Sequence, residues 1–280
     1  MNSKKKMRNA FKIIQSSIVV PEPPDVLYHY CSLSTFSKII ENKKLWLSHY
    51  EFVNDYLDMK WIHHKMDYEL NLHQDKNEVE AFIRNYNLNI KDKYIACFSE
   101  DGDLLSQWRA YADDGCGIAI GFKSSELKIK NHFPHINEID FEMNRIGLLK
   151  MNYDDRQQDL LVKETIYSIT TENKPDFIAS GGYLERFSMI FKNYKFQEEK
   201  EWRIVKVSSK DSPAKKYRIE KNQIIPYEEI DLSSIPNMGI VGLRIGPKSK
   251  IRLMHFAQYL EKEHIKWQDI DIQKSEATYK

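Results

Sequence analysis

The chain has 280 residues, and its 42 lysines and arginines nearly balance 41 aspartates and glutamates, giving a net charge of +1. This balance excludes the strongly basic surface that dominates most nucleic-acid binding. Hydrophobic residues make up 41% of the chain, which excludes intrinsic disorder, and no run approaches the ~18 apolar residues of a membrane span. The sequence therefore predicts a soluble globular protein with no membrane partner.

The cysteines and the N-terminus indicate a cytoplasmic protein. Cys31, Cys97 and Cys116 are odd in number and widely spaced, which favours neither a disulfide framework nor a zinc ribbon. The basic start is followed by a polar-interrupted run and has no small-residue cleavage site, so it fits a signal peptide poorly. We expect residues 1–24 to form a lead-in helix and a linker.

The first half of the chain predicts a compact strand–helix–strand unit and then a helical insertion. Met59, Ile62, Met66 and Leu70 recur at spacings of three and four, which is typical of one buried helix face. The predicted elements are strands 26–30 and 45–48, helices 55–72 and 76–87, strand 94–99, a short helix around 104–111 and strand 117–122.

The second half predicts further helices and strands around a polar stretch at 123–150. The segment 216–221 is expected to pair with 201–207 as a hairpin across DSPAK. The predicted elements are helices 155–170 and 182–195, strands 201–207, 216–221 and 238–246, helix 251–263 and a last strand near 266–272. We expect residues 25–280 to form one α+β domain with a helical insertion at 55–90.

The opening strand carries the first candidate for ligand binding, His29. Strand alternation places His29 on the face opposite Tyr28 and Tyr30. A histidine in an apolar strand either makes a satisfied hydrogen bond in the core or contacts a ligand at a cleft edge, and the sequence favours neither strongly.

A second cluster follows the second strand and consists of Ser48, Asn54, Asp55 and Asp58. Asn-Asp before a helix is first of all a capping pair, because its side chains accept hydrogen bonds from the first free amides. The alternative is that the same amides receive a phosphate group.

The histidines of the insertion do not predict a metal site. Of His63, His64, Asp67 and His73, only His63 and Asp67 share a helix face, at positions i and i+4. Two ligands are too few for a zinc site, so we expect no metal.

Two later clusters combine aromatic and charged residues. Trp108 and Tyr111 are either core residues of a short helix or ring surfaces of a cleft, and Arg109 beside them suits a carboxylate or phosphate partner. Glu199 and Glu201 lie two apart at a strand start, so their carboxylates are expected on one face. Such a pair suits acid, base or cation-stabilising chemistry, unless Arg203 neutralises it as a structural ion pair.

Four motifs taken together resemble a bacterial domain-of-unknown-function family, number twenty-nine seventy-one, over roughly residues 26–248. They are LYHYCSLSTFSKIIENKKLWLSHYEFVND, CFSEDGDLLSQWRAYADDGCGIAIGF, FQEEKEWRIV and IVGLRIGPK. The opening also resembles the ADP-ribosyltransferase superfamily, in which a histidine ends the first strand and a catalytic glutamate begins a late one. This second resemblance implies a mixed, mostly antiparallel split sheet.

The superfamily resemblance implies a site that takes NAD as substrate, without a metal. Glu201 matches the catalytic glutamate, and Glu199 is the first member of the ExE pair. Tyr30 or Trp108 would hold the nicotinamide, and Arg109 the pyrophosphate. The residues expected to contact NAD are His29, Tyr30, Ser48, Asn54, Trp108, Arg109, Tyr111 and Arg203. No second-strand tyrosine stands where one branch of the superfamily has it.

Three functions remain open at the level of sequence. The first is an NAD-dependent ADP-ribosyltransferase-like enzyme with an unknown macromolecular acceptor, protein or nucleic acid. Anti-phage defence or toxicity would be its setting, with a partner protein from the same operon. The second is a non-catalytic nucleotide- or partner-binding module. The third is a Mg²⁺-dependent nucleic-acid-processing enzyme using Glu199, Glu201 and Asp55. Convergence of His29, Arg109 and Glu201 on one cleft would favour the first.

Overall fold

A computed structural model describes residues 21–53, 59–72, 75–135, 145–170, 177–209, 211–220 and 222–279. The lead-in helix expected within residues 1–20 lies outside these ranges. The strands of the described ranges are β1 Val26–Cys31, β2 Lys44–His49, β3 Asp92–Ser99, β4 Ile118–Lys123, β5 Ile146–Lys150, β6 Glu201–Ser208, β7 Lys216–Glu220, β8 Gln223–Asp231, β9 Ile240–Ile245 and β10 Asp271–Lys274. The α-helices of the same ranges are α1 Leu33–Asn42, α2 Trp61–Asn71, α3 Lys76–Asn89, α4 Leu105–Tyr111, α5 Asp155–Thr170, α6 Phe177–Ser188 and α7 Leu253–Lys262.

The ten strands form one mixed sheet in the order β10–β9–β4–β1–β3–β2–β8–β7, with β6 pairing β3 and β5 pairing β6. All pairs are antiparallel except β10 with β9. Helices α2 and α3 are inserted between β2 and β3, within the predicted 55–90 segment. The architecture confirms the α+β class and the mostly antiparallel sheet.

The sheet divides at β3. Along one edge, β3 pairs with β6 over its full length. Along the other edge it pairs with β1 at one end, where Tyr28 lies opposite Ser99, and with β2 at the other, where Ser48 lies opposite Ile95. The β1–β4–β9–β10 and β2–β8–β7 groups therefore diverge from a single strand.

The two faces of the sheet pack against different helices. On one face, called here the α7 face, Leu27, Phe98 and Ile204 pack with α1 and α7. On the other, called the α6 face, Ile95 and Val205 pack with α2, α3, α5 and α6. Strand alternation explains this division, since neighbouring residues of one strand enter different cores.

Local sequence signals set several helix ends. The Ser32 hydroxyl accepts a hydrogen bond from the Thr35 amide at 3.1 Å and caps α1, which ends at left-handed Lys43. Asp75 caps α3 in the same way through the amides of Asn77 and Glu78. These caps explain why the chain can turn from strand to helix within a few residues.

Two sequence predictions about the second half are wrong, and two strands were missed. The segment beginning at Lys216 pairs with β8 rather than β6, because both edges of β6 are already occupied by β3 and β5. Strands β5 and β8 were not predicted, because β5 is a five-residue, mostly apolar run at the end of a polar stretch and β8 contains Pro226 and the charged residues Glu228 and Glu229. The helix expected over 182–195 instead spans Phe177–Ser188, and a 3₁₀ turn follows at Tyr194–Glu199.

Candidate functional site

Four charged side chains form one buried network on the α6 face of the sheet. The Lys192 ammonium donates to Oε2 of Glu199 and, at 2.5 Å, to Oε2 of Glu201. Arg203 donates from Nε and Nη2 to the two oxygens of Glu201, at 2.5 and 2.9 Å. The side chain of Arg203 is fully buried, and those of Lys192 and Glu201 are 3% and 5% exposed. Two positive and two negative charges therefore meet inside the protein.

Local backbone geometry brings the two carboxylates together. Glu199 ends the 3₁₀ turn, Glu201 begins β6, and Lys200 between them adopts a left-handed conformation with φ 47° and ψ 47°. This conformation costs a residue with a Cβ about 1 kcal/mol. The expectation that both carboxylates share one side is confirmed, but a turn produces it rather than strand alternation.

The two carboxylates have pKa values shifted in opposite directions. Burial alone would raise the pKa of Glu201, but the charges and hydrogen bonds of Arg203 and Lys192 outweigh it and lower the pKa to about 2. Burial raises the pKa of Glu199, and the single cation Lys192 offsets it only in part. In such a pair, Glu201 stays ionised near neutral pH, whereas Glu199 is the carboxylate that can take up and release a proton.

Hydroxyl groups surround the carboxylate pair. The Tyr153 hydroxyl accepts the Glu201 amide at 3.0 Å, and the Ser99 hydroxyl donates to the Glu199 carbonyl at 2.8 Å. Tyr111 lies close enough that the charge of Glu199, after burial, raises its pKa. Tyr111 is partly exposed and packs against the cluster of Tyr30 and Trp108.

Tyr30 and Trp108, expected to hold the nicotinamide, are core residues instead. Their rings meet edge to face at 4.8 Å, and Trp108 is fully buried. The Tyr30 hydroxyl accepts the Leu104 amide and donates to the Asp101 carbonyl, both at 2.9 Å. Trp108 Nε1 donates to Asp103 Oδ1 at 2.6 Å. These bonds fix the loop before α4, so neither ring presents a free face to a ligand.

His29 lies on the α7 face, as alternation predicted, and therefore on the side of the sheet opposite Glu201. Its Nδ1 donates to the Cys97 carbonyl at 2.8 Å, at the place where β1 and β2 diverge along β3. The imidazole thus binds a β3 carbonyl at the point where the two neighbouring strands separate. Burial lowers the pKa of His29, which keeps the ring neutral.

The other expected contacts are dispersed. Arg109 is exposed, and its guanidinium lies 5.7 Å from the ring centre of Tyr279. The Ser48 hydroxyl accepts from Arg218 Nη2 at 3.0 Å, within the β2–β8–β7 group. Asn54, with Asp55 and Asp58, lies outside the described residues. The structure therefore brings together Glu199, Glu201, Arg203 and Tyr111, but not His29, Arg109 and Glu201.

Two residues of the network were missed by sequence analysis. Lys192 follows α6 in an apolar stretch, and Tyr153 precedes α5, with no spacing that relates either to Glu201. Lys192 donates to both carboxylates, so it is the more important of the two omissions. The only feature of the sequence that could have indicated a buried lysine is the hydrophobic character of the residues around it, MIFKNYKF, and such a pattern is also typical of an ordinary core segment.

The donor chemistry of this network does not match a Mg²⁺ site. Lys192 and Arg203 already neutralise the carboxylates that a cation would need. Within the described ranges, no group of three or more His, Cys, Asp or Glu residues is arranged to hold a metal ion. None of the helices in those ranges has the length and apolar character needed to cross a bilayer.

Residues 107–204 match the model of the family described as "Protein of unknown function (DUF2971)". Over this segment the chain is similar to that family. The matched segment begins within α4 and contains Lys192, Glu199, Glu201 and Arg203, so the whole network lies inside it. No curated protein and no solved structure matches the chain significantly.

Proposed function

We propose that the protein is an NAD-dependent ADP-ribosyltransferase-like enzyme in which Glu201 is the catalytic carboxylate. The observation that carries the proposal is the Glu199–Glu201 pair, whose members share Lys192 and have pKa values shifted in opposite directions. The order of sequence motifs and the division of the sheet at β3 add support.

The pair suits the chemistry of the nicotinamide–ribose bond. As that C–N bond breaks, its electron pair leaves with nicotinamide and positive charge develops on the ribose. An ionised carboxylate stabilises this charge, as in glycoside cleavage. The acceptor's oxygen or nitrogen then bonds to the ribose carbon, and its proton passes to Glu199, which has the higher pKa of the two carboxylates.

The fold changes which residues are assigned to the substrate. His29 lies on the other face of the sheet, and Trp108 and Tyr30 are core residues, so the proposal assigns them structural roles. Tyr111 is partly exposed beside Glu199 and is the aromatic residue that we assign to the nicotinamide end. A macromolecular acceptor, protein or nucleic acid, in a cytoplasmic defence or toxin setting, remains part of the proposal.

Nicotinamide release from NAD tests the proposal. We expect wild-type protein to release nicotinamide and Glu201→Gln to do so at least about a hundredfold more slowly, the scale of losing one transition-state stabiliser. Glu198→Gln is the matched control. Glu198 is exposed and lies three residues before Glu201, and its replacement removes the same negative charge. Release that is equal in wild type and Glu201→Gln would contradict the proposal.

A second candidate is the non-catalytic binding module, and one observation favours it. Both oxygens of Glu201 are already bound by Lys192 and Arg203, an arrangement that also occurs as a purely structural ion network. Binding of NAD to wild type without nicotinamide release, in calorimetry and product analysis together, would favour this candidate. A nucleic-acid-processing activity that is lost in EDTA would instead favour the Mg²⁺-dependent enzyme.

A further inference from the structure

A cluster around a second arginine, Arg218, lies on β2, β7 and β8, away from the carboxylate pair. The Arg218 guanidinium lies 5.6 Å from the ring centres of both Trp46 and Tyr227, and those two centres are 5.2 Å apart. Its Nη2 donates to the Ser48 hydroxyl at 3.0 Å, and its Nε donates to Glu220 at 3.2 Å. Aromatic contacts and hydrogen bonds therefore hold the guanidinium in one orientation.

Two hydrogen-bond donors of this cluster are buried and unsatisfied. Arg218 Nη1 and Trp46 Nε1 have no hydrogen-bond partner in the described part of the chain. Neither nitrogen can accept a hydrogen bond, so each needs an acceptor. Because buried donors are nearly always paired in folded proteins, two unpaired donors in one cluster indicate a missing acceptor group.

The charge around the cluster favours a negatively charged acceptor. The Lys38 ammonium lies 5.6 Å from the Trp46 ring centre, so a second cation faces the same indole. The Ser48 oxygen accepts from Arg218, which leaves its own hydroxyl proton available to donate. Trp46 and Ser48 are partly exposed and the Arg218 side chain is 20% exposed, so the cluster reaches the surface.

We propose that Arg218, Trp46 and Ser48 form a binding site for an oxyanion, the phosphate or carboxylate group of a small ligand. The planar guanidinium presents a donor to such a group, and the indole N–H and the serine hydroxyl supply two more. The site contains neither Glu201 nor any residue assigned to NAD cleavage in the proposed enzyme, so a test of the oxyanion site is independent of a test of that enzyme.

Calorimetric titration of the full chain with inorganic phosphate, acetate and ADP-ribose at constant chloride tests the site. We expect wild type to bind at least one of the simple anions. Arg218→Gln should weaken that binding about tenfold, the effect of losing a charge-assisted donor. Arg252→Gln is the matched control, because Arg252 is exposed and its replacement removes the same charge. Binding of phosphate over acetate assigns a phosphoryl ligand, the reverse assigns a carboxylate, and tighter binding of ADP-ribose assigns a nucleotide.

Trp46→Phe keeps the proposal testable if Arg218→Gln fails to fold. This variant keeps a six-membered aromatic ring beside Arg218 but removes the indole N–H together with the rest of the five-membered ring, so anion binding should weaken several-fold while the circular dichroism spectrum is unchanged. No binding of either simple anion to wild type would overturn the proposal. Equal affinity in wild type, Trp46→Phe and folded Arg218→Gln would also overturn it.

Discussion

The clusters around Arg203 and Arg218 differ in how completely their donors are satisfied. Arg203 is fully buried and gives two hydrogen bonds to Glu201, within a network whose charges balance. Arg218 is partly exposed, stacks on Trp46 and Tyr227, and keeps one buried nitrogen without a partner in the described residues. The comparison teaches that a dense group of charges can be a closed structural unit, whereas unpaired donors point to a missing ligand.

The two clusters therefore support different proposals to different degrees. The Glu199–Glu201 pair must act while Lys192 and Arg203 remain bound to it, so its chemistry depends on the unequal pKa values of the two carboxylates. The Arg218 cluster needs only an acceptor to complete it. Variants that remove one hydrogen-bonding group at a time, with or without a partner in the described residues, can show which of the two clusters is a closed structural unit.

The largest effect is expected from removing the cation shared by the two carboxylates. Lys192→Met leaves Glu199 and Glu201 close together and partly uncompensated, which should lower the free energy of unfolding by about 3–5 kcal/mol. Urea unfolding measures this change. Lys195→Met is the control, because Lys195 is exposed over Tyr194 and its loss should cost no more than about 1 kcal/mol. Equal effects of the two substitutions would show that the network is not closed.

Acid should destabilise the wild type more than Glu201→Gln. The folded-state pKa of Glu201 is about 2, below the ordinary 4.5, so its ionised form stabilises the folded state above pH 4.5. That contribution, about 3 kcal/mol, is lost as the pH falls from 4.5 toward 2. Glu199 acts in the opposite direction, because its pKa is raised in the folded state. Its protonated form therefore stabilises the folded state at low pH, and this stabilisation is lost as the pH rises through the folded-state pKa.

Urea unfolding at about pH 5, 4 and 3 checks this prediction. The free energy of unfolding should fall more steeply with pH in the wild type than in Glu201→Gln, and Glu198→Gln should follow the wild type. Parallel pH profiles for wild type and Glu201→Gln would mean that Arg203 and Lys192 do not hold the Glu201 pKa down.

Trp108→Phe should destabilise the protein by about 2 kcal/mol. The change removes a hydrogen bond to Asp103 and leaves space in a fully buried position. Thermal unfolding compared with the wild type measures the loss. An unchanged melting temperature would show that the loop before α4 does not depend on this bond.

Trp46→Phe should give the smallest change, within about 0.5 kcal/mol of the wild type. Its indole nitrogen has no partner in the described residues, so no protein hydrogen bond is lost. Thermal unfolding measures this change too, so the same substitution is compared at a tryptophan with a hydrogen-bond partner and at one without a partner in the described residues. Destabilisation as large as that of Trp108→Phe would mean that the Trp46 donor is satisfied within the protein.

The sequence alone determined the features that depend on short-range patterns. The strand at Val26–Cys31, the helical insertion and the face of His29 follow from periodicity, because residues close in the chain fix which side of an element is apolar. The resemblance to the family was also evident from the sequence, and residues 107–204, which match its model, contain the Glu199–Glu201 pair.

The tertiary structure decided the partners of those elements. Lys192 reaches Glu201 because its amide bonds to Asn152, next to Met151, whose own amide donates to the Glu201 carbonyl, and no spacing in the sequence encodes that approach. Strand β7 pairs with β8 because β6 already has a partner on each edge. Ser48 and Arg218, 170 residues apart in the chain, meet because β2 and β7 pair with opposite edges of β8. Strand pairing and the satisfaction of buried polar atoms are set by non-local contacts, so only the folded chain shows which charged residues form closed ion pairs and which still lack an acceptor.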